Sequence, residues 1–222
     1  MDLLHTVFEP RGNGPHPTPL MLHGWGASAL DLLDIAPYLC SGKFFALCPQ
    51  GPLQIPLGGS SVGYGWFPIT MGRPLDLKVM FLAREELRKF PSGAEERYPI
   101  DSKKLVVLGF SQSRVMVYSL GLSEPERFSE LASLSSWLPP DLFSAFPNVP
   151  ATEQLPVLIQ HGNRDELVDV GRARQSVETL RHLRVQVTYS EYNMRHEINT
   201  HSLTDLSTWL QEKVLSSITL VS

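Results

Sequence analysis

Leu105-Val-Val-Leu-Gly-Phe-Ser111-Gln-Ser-Arg-Val-Met-Val-Tyr-Ser-Leu120 is the stretch that decides the fold. It opens on a short, continuous run of branched apolar residues, the composition of a strand covered on both faces. Gly109 stands two residues before Ser111, and residues 112–121 read as a helix. A serine at such a junction is pushed out of the sheet on a strained elbow, with its hydroxyl exposed at the helix N-terminus. The helix end also favours negative charge that develops there. The pattern is Gly-x-Ser-x-Ser, with Ser113 where a second glycine is usual. Taken alone, it fits an ordinary loop as well.

Working outward, short apolar runs alternate with amphipathic stretches. Strands are expected at Leu3–Phe8, Leu20–Leu22, Phe44–Leu47, Leu105–Leu108, Leu131–Leu134, Val157–Gln160 and Val185–Tyr189. Helices are expected near 30–40, 76–90, 112–121, 170–183 and 202–215. This alternation predicts an α/β fold with a largely parallel sheet and right-handed crossovers. Chemistry in such sheets gathers in loops beyond the carboxyl ends of the strands.

Three more strand ends carry suitable groups. Leu20-Met-Leu-His23-Gly24-Trp25-Gly26 runs an apolar strand into a glycine-flanked turn. That turn can aim the Trp25 N–H above the sheet, where the N–H of Gln112 would complete a two-donor oxyanion hole. A plain strand-ending turn, in which the glycines only supply unusual dihedrals, is the alternative. Val157-Leu-Ile-Gln-His161-Gly162-Asn-Arg-Asp165 places an acid just past a strand. Asp165 can orient a histidine, or else Asp165 or Asp169 caps the next helix. Val185–Tyr189 is followed by a loop carrying His196.

The chain order Ser111, Asp165, His196 is that of one hydrolase architecture. Serine is unreactive until an imidazole takes its proton. The imidazole in turn needs a carboxylate on its other nitrogen to fix the tautomer and stabilise the imidazolium. His196-Glu-Ile-Asn-Thr-His201 superficially suggests a zinc protease, but the two histidines are five apart rather than four. That spacing separates them by roughly 140° around a helix, so no metal is expected. His201 is the rival base, although it falls in the first turn of the last helix.

Leu22-His23-Gly24-Trp25-Gly26, Leu108-Gly109-Phe110-Ser111-Gln112, His161-Gly162-Asn-Arg-Asp165-Glu-Leu-Val168 and Met194-Arg-His196-Glu-Ile198 together resemble the phospholipase/carboxylesterase family of α/β hydrolases, to which acyl-protein thioesterases belong. Cys48-Pro49-Gln50-Gly51-Pro52 and Gly63-Tyr-Gly-Trp66-Phe67 are similar to that family's loop over the acyl pocket. The resemblance implies an α/β-hydrolase fold without a large lid domain, acting on carboxylic esters or thioesters with no cofactor. It also implies Ser111, Asp165 and His196 as the triad and Trp25 and Gln112 as oxyanion donors.

The chain departs from the family at Ser113 and Arg114, where glycines are usual, and at Arg195, where a glycine precedes the histidine. Arg114 puts a cation in a helix's first turn, unfavourable by about 0.3–1 kcal/mol. Arg114 and Arg195 predict either a preference for anionic substrates, a disabled enzyme, or side chains that simply point to the surface. A disabled site would leave a non-catalytic protein that binds a lipid or a partner. Over residues 50–75, Ile55, Leu57, Tyr64, Trp66, Phe67, Ile69 and Met71 suggest an apolar wall for an acyl chain. Core-packing residues would look the same.

Composition bounds the rest. The 222 residues are 42% apolar and 19% charged, as in an ordinary soluble globular protein, and one domain over 1–222 is expected. The net charge of −4 and the absence of a basic stripe argue against a nucleic-acid partner. Arg172, Arg174, Arg181 and Arg184 read as a solvated helix face. Cys40 and Cys48 read as reduced, packed thiols. The N-terminal Met1-Asp-Leu-Leu-His-Thr lacks a basic region before an apolar run, so no signal peptide is expected. Residues 44–72 carry no charge, but prolines and glycines break them into a long loop rather than a membrane span. The expectation is a cytoplasmic monomer or homodimer acting on a small-molecule or acyl-chain ester.

Overall fold

A computed structural model describes residues 3–69, 76–140, 142 and 153–216. In chain order its elements begin with strands β1 (His5–Phe8) and β2 (His16–Leu22), then a 3₁₀ segment (Leu33–Ser41). Strand β3 (Ala46–Pro49) and a hairpin of β4 (Leu53–Gly58) and β5 (Ser61–Gly65) lead to helix α1 (Leu77–Glu95). Strand β6 (Ile100–Phe110) passes through a 3₁₀ turn at Ser111–Ser113 into helix α2 (Arg114–Gly121). The chain continues through β7 (Glu130–Leu134), β8 (Pro156–Gly162), helix α3 (Val170–His182), β9 (Gln186–Tyr192) and helix α4 (Thr200–Leu210). A wide π turn (Gln211–Leu215) succeeds α4.

Seven strands form one sheet in the order β1-β3-β2-β6-β7-β8-β9, parallel throughout except for the β1–β3 pair. Alternation along the strands sorts their residues onto two faces. Leu20, Leu22, Leu105, Val107, Val157 and Ile159 meet α1, α2 and α3 on one face. Met21, Val106, Leu108 and Leu158 meet the 3₁₀ segment and α4, through Leu39, Leu206, Trp209 and Leu210, on the other. Both faces are therefore covered, which is why the central strands read as unbroken apolar runs.

Local chemistry sets the helix ends. Asp76 caps α1 through the Val79 N–H, and Asp169 caps α3 through the Gly171 N–H. Asn199 and Ser202 form a reciprocal capping box at the start of α4. Asp169, not Asp165, is therefore the cap, which leaves Asp165 for another task.

Three expectations are corrected. Residues 50–69 do not form one long loop. They include the β4–β5 hairpin, closed at a Gly58–Ser61 pair with positive φ at Gly58 and Gly59. The expected helix at 30–40 is a kinked 3₁₀ segment, because Pro37 has no N–H and Cys40 and Ser41 turn left-handed. The last helix gives way to the π turn rather than running regularly to 215. Both thiols are free and buried, and burial raises the Cys48 pKa to about 12. Met71 and the tail beyond Ser216 lie outside the described residues.

Candidate active site

Strand β6 delivers Ser111 at its carboxyl end with φ of +57°, a left-handed conformation that a non-glycine residue adopts only under strain. Two neighbours make room for it. A Cβ on Gly109 would meet Val117 Cγ2 at 2.5 Å and Ser113 Oγ at 2.6 Å, so the strand must be bare where α2 crosses it. Ser113 fills the space a second glycine would leave, and its buried hydroxyl donates to Leu22 O (2.7 Å) and Phe110 O (2.9 Å). The departure at 113 thus joins the elbow to the end of β2.

His196 links the other two groups. Its Nε2 lies 2.8 Å from Ser111 Oγ and its Nδ1 lies 2.7 Å from Asp165 Oδ2. The segments that follow β6, β8 and β9 thus meet at one imidazole. The Asp165 side chain is fully buried. Its Oδ1 accepts the Leu167 and Val168 N–H groups at 2.9 Å each, so both oxygens are engaged and the carboxylate cannot rotate away. His161 lies 3.5 Å from the same Oδ2, and its Nε2 donates to Val168 O. The Phe110 ring packs 4.9 Å from the His196 ring, centroid to centroid.

Gly162 brings the Asp165 and His196 loops together. A Cβ there would fall on the carbonyl oxygens of Met194 and Arg195. His201, the rival base, is exposed in the first turn of α4. Among the described residues no three metal-ligating side chains cluster.

The turn that follows β2 is built from below. Buried His23 donates from Nδ1 to Gly24 O (2.7 Å) and accepts the Gly51 N–H at Nε2 (3.0 Å), which fixes a neutral tautomer. Burial lowers its pKa further. The Gly24 Cα faces Ser111, since a Cβ there would sit 3.4 Å from that of the serine. Among the described residues the Trp25 N–H has no acceptor, and the Gln112 N–H has none outside its own helical turn. Leu57 is exposed and approaches Gly26, while Trp25 is 38% exposed.

The remaining predicted site residues divide. Trp66 and Phe67 are each almost fully buried. Both belong to the buried core, and the Trp66 indole N–H donates to His23 O at 2.9 Å. The physical reason is the hairpin, which folds this segment back against the sheet. Both also line a cavity of about 240 Å³ with Pro52, Leu53, Val79 and Leu82. Arg114 is half-buried at the start of α2. Its Nη1 donates to Ser111 O (3.0 Å), its guanidinium carbon lies 4.9 Å from the Trp137 ring centroid, and its Nε is enclosed without a partner among the described residues. Burial lowers the Arg114 pKa to about 10. Arg195 is exposed beside His196. The basic face of α3 is exposed as expected, with Arg174 paired to Glu191 and Arg181 to Glu178.

A model of the family described as phospholipase/carboxylesterase matches residues 5–214. The chain belongs to the phospholipase/carboxylesterase family. A similar curated protein is acyl-protein thioesterase 1 of Mycosarcoma maydis, 28% identical over 97% of this chain and 99% of that one. The Bacillus cereus carboxylesterase structure aligns with a TM-score of 0.80 at 18% identity, covering 95% of this chain and 94% of that one. Zea mays acyl-protein thioesterase 2 aligns at 0.76 and 21%, covering 94% and 98%. The fold is shared with both. The sheet is mostly parallel, and no large lid is inserted among the described residues.

Sequence reasoning missed the side-chain roles of His23, Gln112, Trp66 and Trp137. The only local signal was the glycine spacing of Gly63-Tyr-Gly-Trp66, which marks close backbone approach without saying to what.

Proposed function

We propose that the protein is a serine hydrolase that cleaves carboxylic esters or thioesters through an acyl-serine intermediate. The observation that carries this is the single imidazole bridging Asp165 at 2.7 Å and Ser111 at 2.8 Å. His196 Nε2 takes the Ser111 proton as Oγ attacks the acyl carbon, and Asp165 stabilises the imidazolium that results. The tetrahedral oxyanion is held by the N–H groups of Trp25 and Gln112. As the intermediate collapses, the bond to the alcohol or thiol breaks and His196 returns the proton to that leaving group. Water then attacks the acyl-serine with His196 again as base, releasing the acid and restoring Ser111 Oγ–H.

The departures at 113, 114 and 195 do not break this relay. Ser113 and Arg114 hydrogen-bond within the elbow, and Arg195 points outward next to the base. Arg195 is the cation left to meet an anionic substrate. Exposed Leu57 and Leu167 beside the oxyanion and acid loops support an apolar acyl group. Two free buried thiols support a reducing compartment such as the cytoplasm.

The test is hydrolysis of p-nitrophenyl esters from two to twelve acyl carbons, beside Ser111→Ala. A chain-length optimum that disappears in the variant is expected. Turnover that survives in Ser111→Ala would overturn the reading.

A further inference from the structure

The side chain of Gln112 does something its backbone does not require. It is 1% exposed, and both ends of its amide are used. Oε1 accepts the Trp66 N–H at 3.0 Å, and Nε2 donates to Phe67 O at 2.6 Å. Trp66 and Phe67 come directly after β5. That strand also grips the other half of the oxyanion site. Gly26 N–H donates to Tyr64 O and Tyr64 N–H donates to Ala27 O, each at 2.8 Å, and the Trp66 indole holds His23 O. Two glycines permit this approach. A Cβ on Gly63 would fall on Gly26 O, and one on Gly65 would lie 2.9 Å from Trp25 Cε3 and 3.1 Å from Gln112 Oε1.

The turn carrying the Trp25 N–H and the helix start carrying the Gln112 N–H come from distant parts of the chain. Both are fastened to one stretch, residues 64–67. We propose that the Gln112 side chain is a positioning residue for the oxyanion hole, clamping the end of the β4–β5 hairpin so that the two N–H donors keep a fixed separation. This rests on reading Ser111 as the nucleophile.

The chemistry favours glutamine specifically. The hairpin end presents one N–H and one carbonyl, so the clamp must accept and donate from one short planar group. An ionised glutamate only accepts, and methionine does neither. Donors that stabilise a developing oxyanion act because they are fixed before the reaction begins. A buried amide with both ends satisfied is costly to displace, so it transmits the hairpin's position to the helix start.

The test compares the full-length protein with Gln112→Met and Gln112→Glu. For each, kcat and KM are measured on p-nitrophenyl butyrate, with Ki for a butyl trifluoromethyl ketone, which forms a tetrahedral adduct on the serine. Ki for the corresponding trifluoromethyl alcohol, which cannot form that adduct, is measured beside it. Gln112→Met is expected to lose about 10- to 100-fold in kcat, part of the 10²–10³ that loss of one donor costs. KM and alcohol binding should stay within about twofold, while the ketone weakens in step with kcat/KM. Gln112→Glu should lose in the same pattern, because its carboxylate faces Phe67 O.

A folded Gln112→Met that keeps kcat and ketone affinity overturns the proposal. So does one whose KM and alcohol affinity deteriorate as much as kcat, since that marks general disruption. If Gln112→Met does not fold, the same criteria apply to Gln112→Glu. Failure of the functional reading looks different, because the unmodified protein would then turn over no ester and would not react with a fluorophosphonate at Ser111.

Discussion

Replacing Gly162 with alanine tests whether the acid and base loops are held in register by close backbone contact. The φ at Gly162 is not in the left-handed region, so alanine is conformationally acceptable there and only its methyl group matters. That methyl would land on the Met194 and Arg195 carbonyl oxygens and lie 3.0 Å from the Met194 carbonyl carbon. These are backbone atoms and cannot rotate aside. Restoring ordinary contact near 3.4 Å moves the 194–196 segment by on the order of 1 Å, at a packing cost of about 1–3 kcal/mol. His196 is the next residue along, and its Nε2 lies 2.8 Å from Ser111 Oγ. A retreat of that size takes the base out of hydrogen-bonding range, and displacement of a catalytic group by this much costs on the order of 10²-fold. Steady-state hydrolysis of p-nitrophenyl butyrate should therefore show kcat lower by about that factor with KM nearly unchanged. Thermal unfolding of the same sample should show a lower midpoint. A variant melting as the parent does, with kcat within twofold, would refute the argument that this contact sets the position of the base.

Asp165→Asn should lower kcat by about 10³–10⁴, because a neutral amide neither fixes the His196 tautomer nor stabilises its cation. Steady-state kinetics read this directly, and less than tenfold would contradict the assigned role. Arg114→Leu removes a buried cation that has no carboxylate partner among the described residues. Its stability should stay within about 1 kcal/mol of the parent or rise, and a loss above about 2 kcal/mol in denaturant unfolding would show that the Trp137 and Ser111 contacts outweigh burial. Hydrogen bonds from Arg174 and Tyr189 hold the Glu191 carboxyl down to about 2, from an ordinary 4.5. A carboxyl depressed in the folded state stabilises fully above its unfolded value and loses that contribution as pH falls toward the folded one. The gap in melting temperature between the parent and Glu191→Gln should therefore be steady near neutrality and close as pH falls from 4.5 to about 2. A gap that stays constant across that window would reject the pairing.

What the sequence disclosed was whatever repeats locally. The continuous apolar runs Leu105-Val-Val-Leu108 and Val157-Leu-Ile159 mark strands covered on both faces of the sheet. The motif Gly109-Phe-Ser111 marks an elbow because only a bare strand lets α2 cross it. Asp165 and His196 were legible because each comes just after a recognisable strand end. The β4–β5 hairpin was not legible, because its prolines and glycines suit a loop equally well, and its pairing is made against its own second strand and the turn after β2. Arg114 misled for a related reason. Helix position predicts an outward cation, whereas Trp137, which is distant in sequence, draws it under cover. The pair of hydrogen bonds that the Gln112 amide makes with Trp66 and Phe67 is likewise a product of tertiary contact, and no spacing in the chain encodes it.

The central claim is that Ser111 is a nucleophile activated by His196. The most direct measurement is peptide mapping by mass spectrometry after brief exposure to a fluorophosphonate, on the parent protein and on His196→Ala. The account predicts one adduct, on Ser111 of the parent, and labelling at least about 10²-fold slower without the imidazole. No adduct on Ser111, or equal labelling of the two proteins, would contradict it.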